Sequence, residues 1–283
     1  MSVEIEPLQP VGARLHGMEL GDALDDAGFE ALRAALLEYG LLVVSGVSLS
    51  MREHVALGRR FGEPEGHDLA LAAPNRNVIV ISNVGPDGSL LPRDAAQVKA
   101  LEINEGWHID SSFREIPASV SILSAQRVPS VGGDTFFVSL RRAWLAMDER
   151  ERAELRGLRA VHDYAEAFRR TGASVPGMDV QALPQVLHPL VGVHPETGER
   201  SLFLSSHTSG VEGMEEAAGR ALLERLLAWC TRESEVYRHR WSVDDVLLWD
   251  NRCMLHRVQG FDDRHPRVMH HVRMIGDGPV EPG

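Results

Sequence analysis

The last part of the chain constrains the fold most. Val236 to Trp241, Val246 to Trp249 and Arg267 to Ile275 alternate or stay apolar, with turn residues at Asp244-Asp245 and from Asp262 to Pro266. Side chains of a strand alternate between two faces, and runs of this kind bounded by Asp and Pro read as strands. Leu41 to Val44, Val78 to Ser82, Ser119 to Ala125, Thr135 to Val138 and Leu202 to Ser205 add further strand-like runs, and Pro129-Ser130-Val131-Gly132-Gly133 is a turn between two of them. Helical stretches lie between. Phe29, Leu32 and Leu36 fall at near-helical spacing and Gly40 supplies a left-handed cap, so a helix is expected over Asp26 to Tyr39. Ser50-Met51-Arg52-Glu53 has capping-box spacing for a helix to about Phe61, and Asp148-Glu151 opens another toward Leu158. Met214 to Arg232 carries a leucine-rich helical face. The expectation is a mainly β core with helices packed outside.

All 283 residues read as one domain, with a long connection around 85–106 placed as a lid and a pattern-poor excursion around 170–200. No apolar run approaches the roughly 18 residues of a membrane helix. Met1-Ser2-Val3-Glu4-Ile5-Glu6 lacks the character of a signal peptide, and two cysteines make no disulfide framework, so a reducing cytoplasm is expected. A formal net charge of -12 disfavours nucleic acid and anionic membranes as partners and favours a small-molecule substrate. A homo-oligomer is expected.

His108-Ile109-Asp110 places an imidazole and a carboxylate on one side of an extended segment. Alone the pattern is common. With a distant third ligand, His256, it makes a facial set of two histidines and one carboxylate, which leaves three octahedral positions open and suits non-haem Fe(II) oxygen chemistry.

The sequence resembles the TauD/TfdA family, the Fe(II)- and 2-oxoglutarate-dependent dioxygenases that include taurine and 2,4-dichlorophenoxyacetate dioxygenases. The resemblance extends from the first helix to about Gly276. It is carried by Phe61-Gly62-Glu63, Trp107-His108-Ile109-Asp110-Ser111-Ser112-Phe113, Gly132-Gly133-Asp134-Thr135, Trp249-Asp250-Asn251-Arg252 with His256, and Arg267-Val268-Met269-His270. The phenoxyacetate branch is nearer, through Ile81-Ser82-Asn83-Val84, Arg93-Asp94-Ala95, Val211-Glu212-Gly213 and Tyr237-Arg238-His239-Arg240-Trp241. The resemblance implies a double-stranded β-helix (jelly roll, cupin-like), with His108, Asp110 and His256 as iron ligands and O2 as oxidant. It implies that Arg267, helped by Thr135, grips the distal carboxylate of 2-oxoglutarate, a task suited to a planar guanidinium. Succinate and carbon dioxide would accompany hydroxylation of the substrate.

Substrate recognition departs from these relatives. Four residues after the co-substrate arginine both named relatives have a second arginine for the substrate's anion; this chain has His271. Arg273, on the same strand face, is the expected replacement charge, and His271 itself is a candidate for pH-dependent anion binding. His67, Asn104 and His207 are further substrate-contact candidates. His162, His188, His194, His239, His265 and His270 read as structural or solvent-facing, and Trp107 and Trp249 as core. The expected substrate is an aryloxyalkanoate-like carboxylate, hydroxylated next to its ether oxygen. Alternatives are an alkyl sulfate or sulfonate, or a neutral or amino-acid-derived metabolite. From other classes, a Zn-dependent hydrolase or isomerase and a non-catalytic ligand-binding relative remain as rivals.

Overall fold

The computed structural model describes residues 3–21, 24–66, 76–173 and 179–283. One wall is a seven-stranded sheet in the order Glu4–Pro7, Ala13–His16, Leu41–Val44, Val246–Asp250, Ala118–Arg127, Val268–Ile275, Ile79–Ser82. Its pairings are antiparallel apart from Ala13–His16 against Leu41–Val44. A second wall pairs Tyr237–His239, Thr135–Ser139 and Met254–Val258, all antiparallel. The chain crosses between walls over short connections: Ala118–Arg127 leads to Thr135–Ser139, and Val246–Asp250 to Met254–Val258 and back to Val268–Ile275. Leu123, Leu247, Trp249 and Met269 from the first wall meet Phe137 and Met254 from the second. This is the expected jelly roll with flanking helices.

Two helices, Asp26–Tyr39 and Met51–Arg59, cover the outer face of the large sheet. Asp26–Tyr39 starts where Asp25 accepts from the Gly28 amide and ends where Gly40, at φ 73°, bonds back to Leu36. Met51–Arg59 begins on the complete Ser50/Glu53 capping box. Leu32, Leu36, Val55 and Leu57 then bury against Val120, Ile122, Leu248 and Val272. Burial of such side chains contributes roughly 1.5–3 kcal/mol each, so both helices are fixed by packing more than by propensity.

Among the stretches that differ from expectation, three lie near the site or between the expected elements. The segment around 85–106 contains a helix, Ala96–Leu101, continued by the 3-10 turn Glu102–Glu105. Both are too short to display a helical period in sequence. The region around 170–200 holds strands Gln185–Pro189, Val191–Val193 and Arg200–Leu202, and 174–178 lie outside the described residues. The first of these pairs with Arg159–Asp163, a nonlocal contact that short, proline-flanked runs do not announce. Met254–Val258 was not anticipated either, since His256 and Arg257 interrupt its apolar run.

His54 is fully buried, with Nε2 3.1 Å from the Ile122 carbonyl, and burial pushes its imidazole down to about 3. The unfolded chain binds this proton near pH 6.5, so the stabilisation from keeping His54 neutral is fully present above that pH and declines as pH falls toward the folded value. His54→Gln is therefore expected to reduce the loss of stability between neutral and mildly acidic pH, by up to about 1.4 kcal/mol per pH unit. Urea unfolding at several pH values measures this, and parallel pH dependences in variant and wild type would refute it.

Candidate active site

At one end of the jelly roll, His108 and His256 face each other and exchange backbone hydrogen bonds of 2.8 and 3.0 Å. His108 belongs to an isolated bridge and Asp110 to a turn, so the pair does not ride on a regular strand. Alternation still holds locally: Ile109 is buried in the core on the opposite side. Ser111 follows at φ 54°, a left-handed conformation uncommon for serine, and its hydroxyl donates to Glu65 at 2.8 Å. One ligand-type atom from each of His108, Asp110 and His256 can be chosen so that all lie within 4.8 Å of one another.

Each group is oriented from behind. Nδ1 of His108 lies 2.8 Å from the Gly106 carbonyl, a contact only an Nδ1–H donor satisfies, which leaves Nε2 with its lone pair. His256 is packed against Phe137 and Trp249, with centroids at 5.9 and 4.6 Å. Asp110 Oδ2 accepts from Ser121 Oγ at 2.7 Å. Asn251 Nδ2 donates to that Ser121 oxygen at 2.7 Å, while its Oδ1 accepts from Trp249 Nε1 at 3.0 Å. The Trp-Asp-Asn-Arg block thus points Trp249 and Asn251 at the site, whereas Asp250 faces away, paired with His194 and Arg252.

The electrostatics suit a cation. Burial lowers the pKa of His108 and carries that of His256 well below the usual histidine range, which keeps both imidazoles neutral. Burial alone would raise Asp110, but His271 and Arg273 facing it outweigh that and hold the carboxyl well below its usual range. Two neutral imidazoles and an ionised carboxylate are the ligand-competent states. Nδ1 of buried His256 has no hydrogen-bond partner among the described residues.

The same cavity, about 260 Å³, is bounded by Thr135, Arg267, His271, Arg273 and Asn104. Arg267 is buried, and among the described residues its guanidinium makes one long bond, Nη2 to the Gly133 carbonyl at 3.3 Å, while Nε finds no partner. No ion pair reaches it among the described residues. Burial pushes it down to about 10, with Asp134 opposing. A dry, unpaired guanidinium fits an anionic ligand, because an unpaired buried charge is costly. Gly133 makes the approach possible: it sits at φ 73°, and a Cβ there would lie 3.1 Å from Arg267 Nε. Thr135 Oγ1 accepts from Trp241 Nε1 at 2.9 Å, which leaves its own O–H to donate.

The other expected residues divide. His271 and Arg273 do share the cavity face with Arg267. His271 Nε2 is 3.5 Å from Asp110 Oδ2 with its ring stacked on Trp249, and Arg273 Nη1 is 3.5 Å from Asp110 Oδ1. Asn104 lines the cavity from the 3-10 turn. His207 is not among the lining residues: its Nε2 meets Ser112 Oγ at 3.0 Å, and burial pushes it down to about 3. His67 lies outside the described residues. Sequence reasoning missed Ser121, Glu65, Tyr164 and Phe168. The first two touch residues of the site, and the last two line the cavity.

A jelly roll with two histidines, one carboxylate and a buried arginine around one cavity has the form of a mononuclear non-haem iron oxygenase that takes an anionic co-substrate. The family model described as "Taurine catabolism dioxygenase TauD, TfdA family" matches residues 4–274. The chain is 38% identical to the (S)-phenoxypropionate/alpha-ketoglutarate-dioxygenase of Sphingobium herbicidovorans, over 98% of this chain and 96% of the relative. It is 37% identical to the alpha-ketoglutarate-dependent 2,4-dichlorophenoxyacetate dioxygenase of Cupriavidus pinatubonensis, over 99% of this chain and 100% of the relative. The crystal structure of AAD-2 in complex with Mn(II) and N-oxalylglycine superimposes with a TM-score of 0.91 at 31% identity, covering 100% of both chains. The chain belongs to the TauD/TfdA family of dioxygenases. An enzyme of this class draws on Fe(II), 2-oxoglutarate and dioxygen. No helix among the described residues is long and apolar enough to cross a membrane.

Proposed function

We propose that this dioxygenase hydroxylates a small aryloxyalkanoate-like carboxylate at the carbon beside the ether oxygen. His108, Asp110 and His256 hold Fe(II), and Arg267 with Thr135 holds the distal carboxylate of 2-oxoglutarate. The observation that carries the substrate reading is the polarity of the cavity. Arg273, 3.5 Å from Asp110, lines it together with apolar Ile79, Ile81, Leu101, Ile103, Phe168 and Val258, alongside polar Glu105, Tyr164 and Gln259. A carboxylate at Arg273 puts an aromatic ring against these apolar side chains, where it displaces water and gains hydrophobic stabilisation.

When bound, Fe(II) with 2-oxoglutarate and dioxygen supplies the oxidant for an unactivated C–H bond, releasing succinate and carbon dioxide. The chain's own residues do the rest. Arg267 and Arg273 fix the two anions, so the substrate's ether-bearing carbon is held beside the triad. The apolar wall excludes water. Hydroxylation next to the ether gives a hemiacetal or hemiketal, which breaks its carbon–oxygen bond to yield a phenol and a 2-oxo acid.

The chain works in this proposal as one domain. The segment around 85–106 serves as the lid, a reading supported by Leu101, Ile103 and Asn104 at the cavity wall. Two buried free thiols support a reducing cytoplasm, and exposed Leu145 and Val243 support a homo-oligomer, which sedimentation velocity tests.

The deciding experiment gives the Fe(II)-loaded protein aryloxyacetates, 2-aryloxypropionates, alkyl sulfates and taurine, with oxygen uptake and succinate measured against substrate loss. Aryloxyalkanoates are expected to be turned over with coupled succinate and taurine poorly. Preferred turnover of alkyl sulfates or taurine would overturn the substrate assignment.

A further inference from the structure

Glu65 carries a buried carboxylate that the metal and co-substrate sites do not use. Its side chain is 4% exposed; it forms ion pairs with Arg273 Nε at 2.9 Å and Arg114 Nε at 2.7 Å and accepts a hydrogen bond from the Ser111 hydroxyl at 2.8 Å. Its amide also donates to the Arg273 carbonyl at 2.8 Å. Arg273 is thus held by side chain and backbone, with Nη1 turned toward Asp110 and the cavity. Arg114 is half-exposed, its side chain 49% accessible, and completes an arginine–glutamate–arginine triplet with one positive charge in excess. Asp110, 3.5 Å from Arg273, stands outside that balance in the proposed site, where bound Fe(II) would offset its charge.

We propose that Glu65 is a specificity-determining residue: it is the internal counter-charge that sets the substrate subsite at Arg273 to accept one negative charge and to reject two. The inference rests on the proposed use of Arg273 for the substrate anion. Without Glu65 the ligand anion at Arg273 would also feel the uncompensated charge of Arg114 behind it, and a doubly charged group would be favoured. With it, a monoanion leaves the charges of this cluster balanced, and a dianion leaves one negative charge uncompensated, which a largely buried site penalises. Glu65 also holds Ser111, the left-handed residue after Asp110, so the counter-charge is tied to the metal-site turn.

The test uses two ligands of the same shape and different charge, benzenesulfonate and phenylphosphonate, above the second ionisation of the phosphonate. Both are titrated under anaerobic conditions into Fe(II)-loaded enzyme saturated with 2-oxoglutarate, so that Arg267 is occupied, and tryptophan fluorescence reports binding. Glu65→Gln is isosteric and keeps an oxygen toward Arg273. It is expected to shift the preference toward the dianion by about tenfold, the scale of one nearby charge at intermediate dielectric. Arg114→Gln is expected to shift it the other way by about threefold, less because this arginine is half in water. Glu65→Gln combined with Arg273→Gln should cancel the gain. A merely structural role would weaken both ligands together. Unchanged preference in Glu65→Gln overturns the proposal, as does a gain that survives loss of Arg273. If Glu65→Gln does not fold, unchanged preference in Arg114→Gln overturns it instead. Wild-type turnover of aryloxyacetates is scored separately: its absence sinks the substrate reading, whereas the charge preference of the variants judges Glu65.

Discussion

Asp110→Asn is expected to lower Fe(II) affinity by about a hundredfold or more and to abolish turnover while leaving the fold intact. Asp110 brings the negative charge of the triad, and its neighbours hold it ionised. Asparagine keeps an oxygen to accept from Ser121, and the size of the side chain, so what is removed is charge and not packing. The scale follows by comparison: loss of a group that merely orients a ligand costs about 10–100-fold in affinity, and a ligand's own charge counts for more. Ser121→Ala supplies that comparison. It leaves the carboxylate and removes the hydrogen bond relayed from Asn251, so a drop of about tenfold is expected. Anaerobic metal titration with circular dichroism as the folding control measures both. Wild-type iron affinity in Asp110→Asn would remove Asp110 from the site.

How far the sequence disclosed these arrangements depended on whether the signal was local. Caps were legible because they are written in adjacent residues: the Ser50/Glu53 box and the Gly40 turn form as read. The gathering of His108, Asp110, His256 and Arg267 was legible only through several matching blocks at once, since no period links positions so far apart. Asn251 lay in plain view within Trp249-Asp250-Asn251-Arg252, yet its partner Ser121 sits on another strand. Strand Val246–Asp250 pairs with Ala118–Arg127 with Trp249 opposite Ser121, a register that periodicity does not fix. Glu65 escaped for a similar reason. Its partners, Ser111, Arg114 and Arg273, are remote in sequence, and a lone glutamate in a polar loop reads as solvated. His207 was read as a substrate-contact candidate within Ser205-Ser206-His207-Thr208-Ser209. In the fold one serine from a different segment, Ser112, holds the ring.

Arg267→Met is expected to separate binding from stability in opposite directions. In wild type the guanidinium is buried against Gly133 and Phe261, with no ion pair among the described residues. Its burial is costly until a carboxylate arrives, at which point two charge-assisted hydrogen bonds become available. Removing the charge deletes that interaction, worth about 3 kcal/mol for a charged pair, so affinity for 2-oxoglutarate should fall by about a hundredfold. Methionine also relieves the unpaired charge and fills much of the space, so the protein without co-substrate should unfold at the same or a higher temperature than wild type. The stabilisation that 2-oxoglutarate gives wild type by mass action should vanish in the variant. Arg267→Lys keeps a charge but not the planar fork, so an intermediate loss of about tenfold is expected. Thermal unfolding with and without 2-oxoglutarate, alongside an anaerobic titration of the metal-loaded enzyme, distinguishes these cases. If Arg267→Met melts earlier without co-substrate and binds it normally, Arg267 is a structural arginine and the co-substrate carboxylate is held elsewhere.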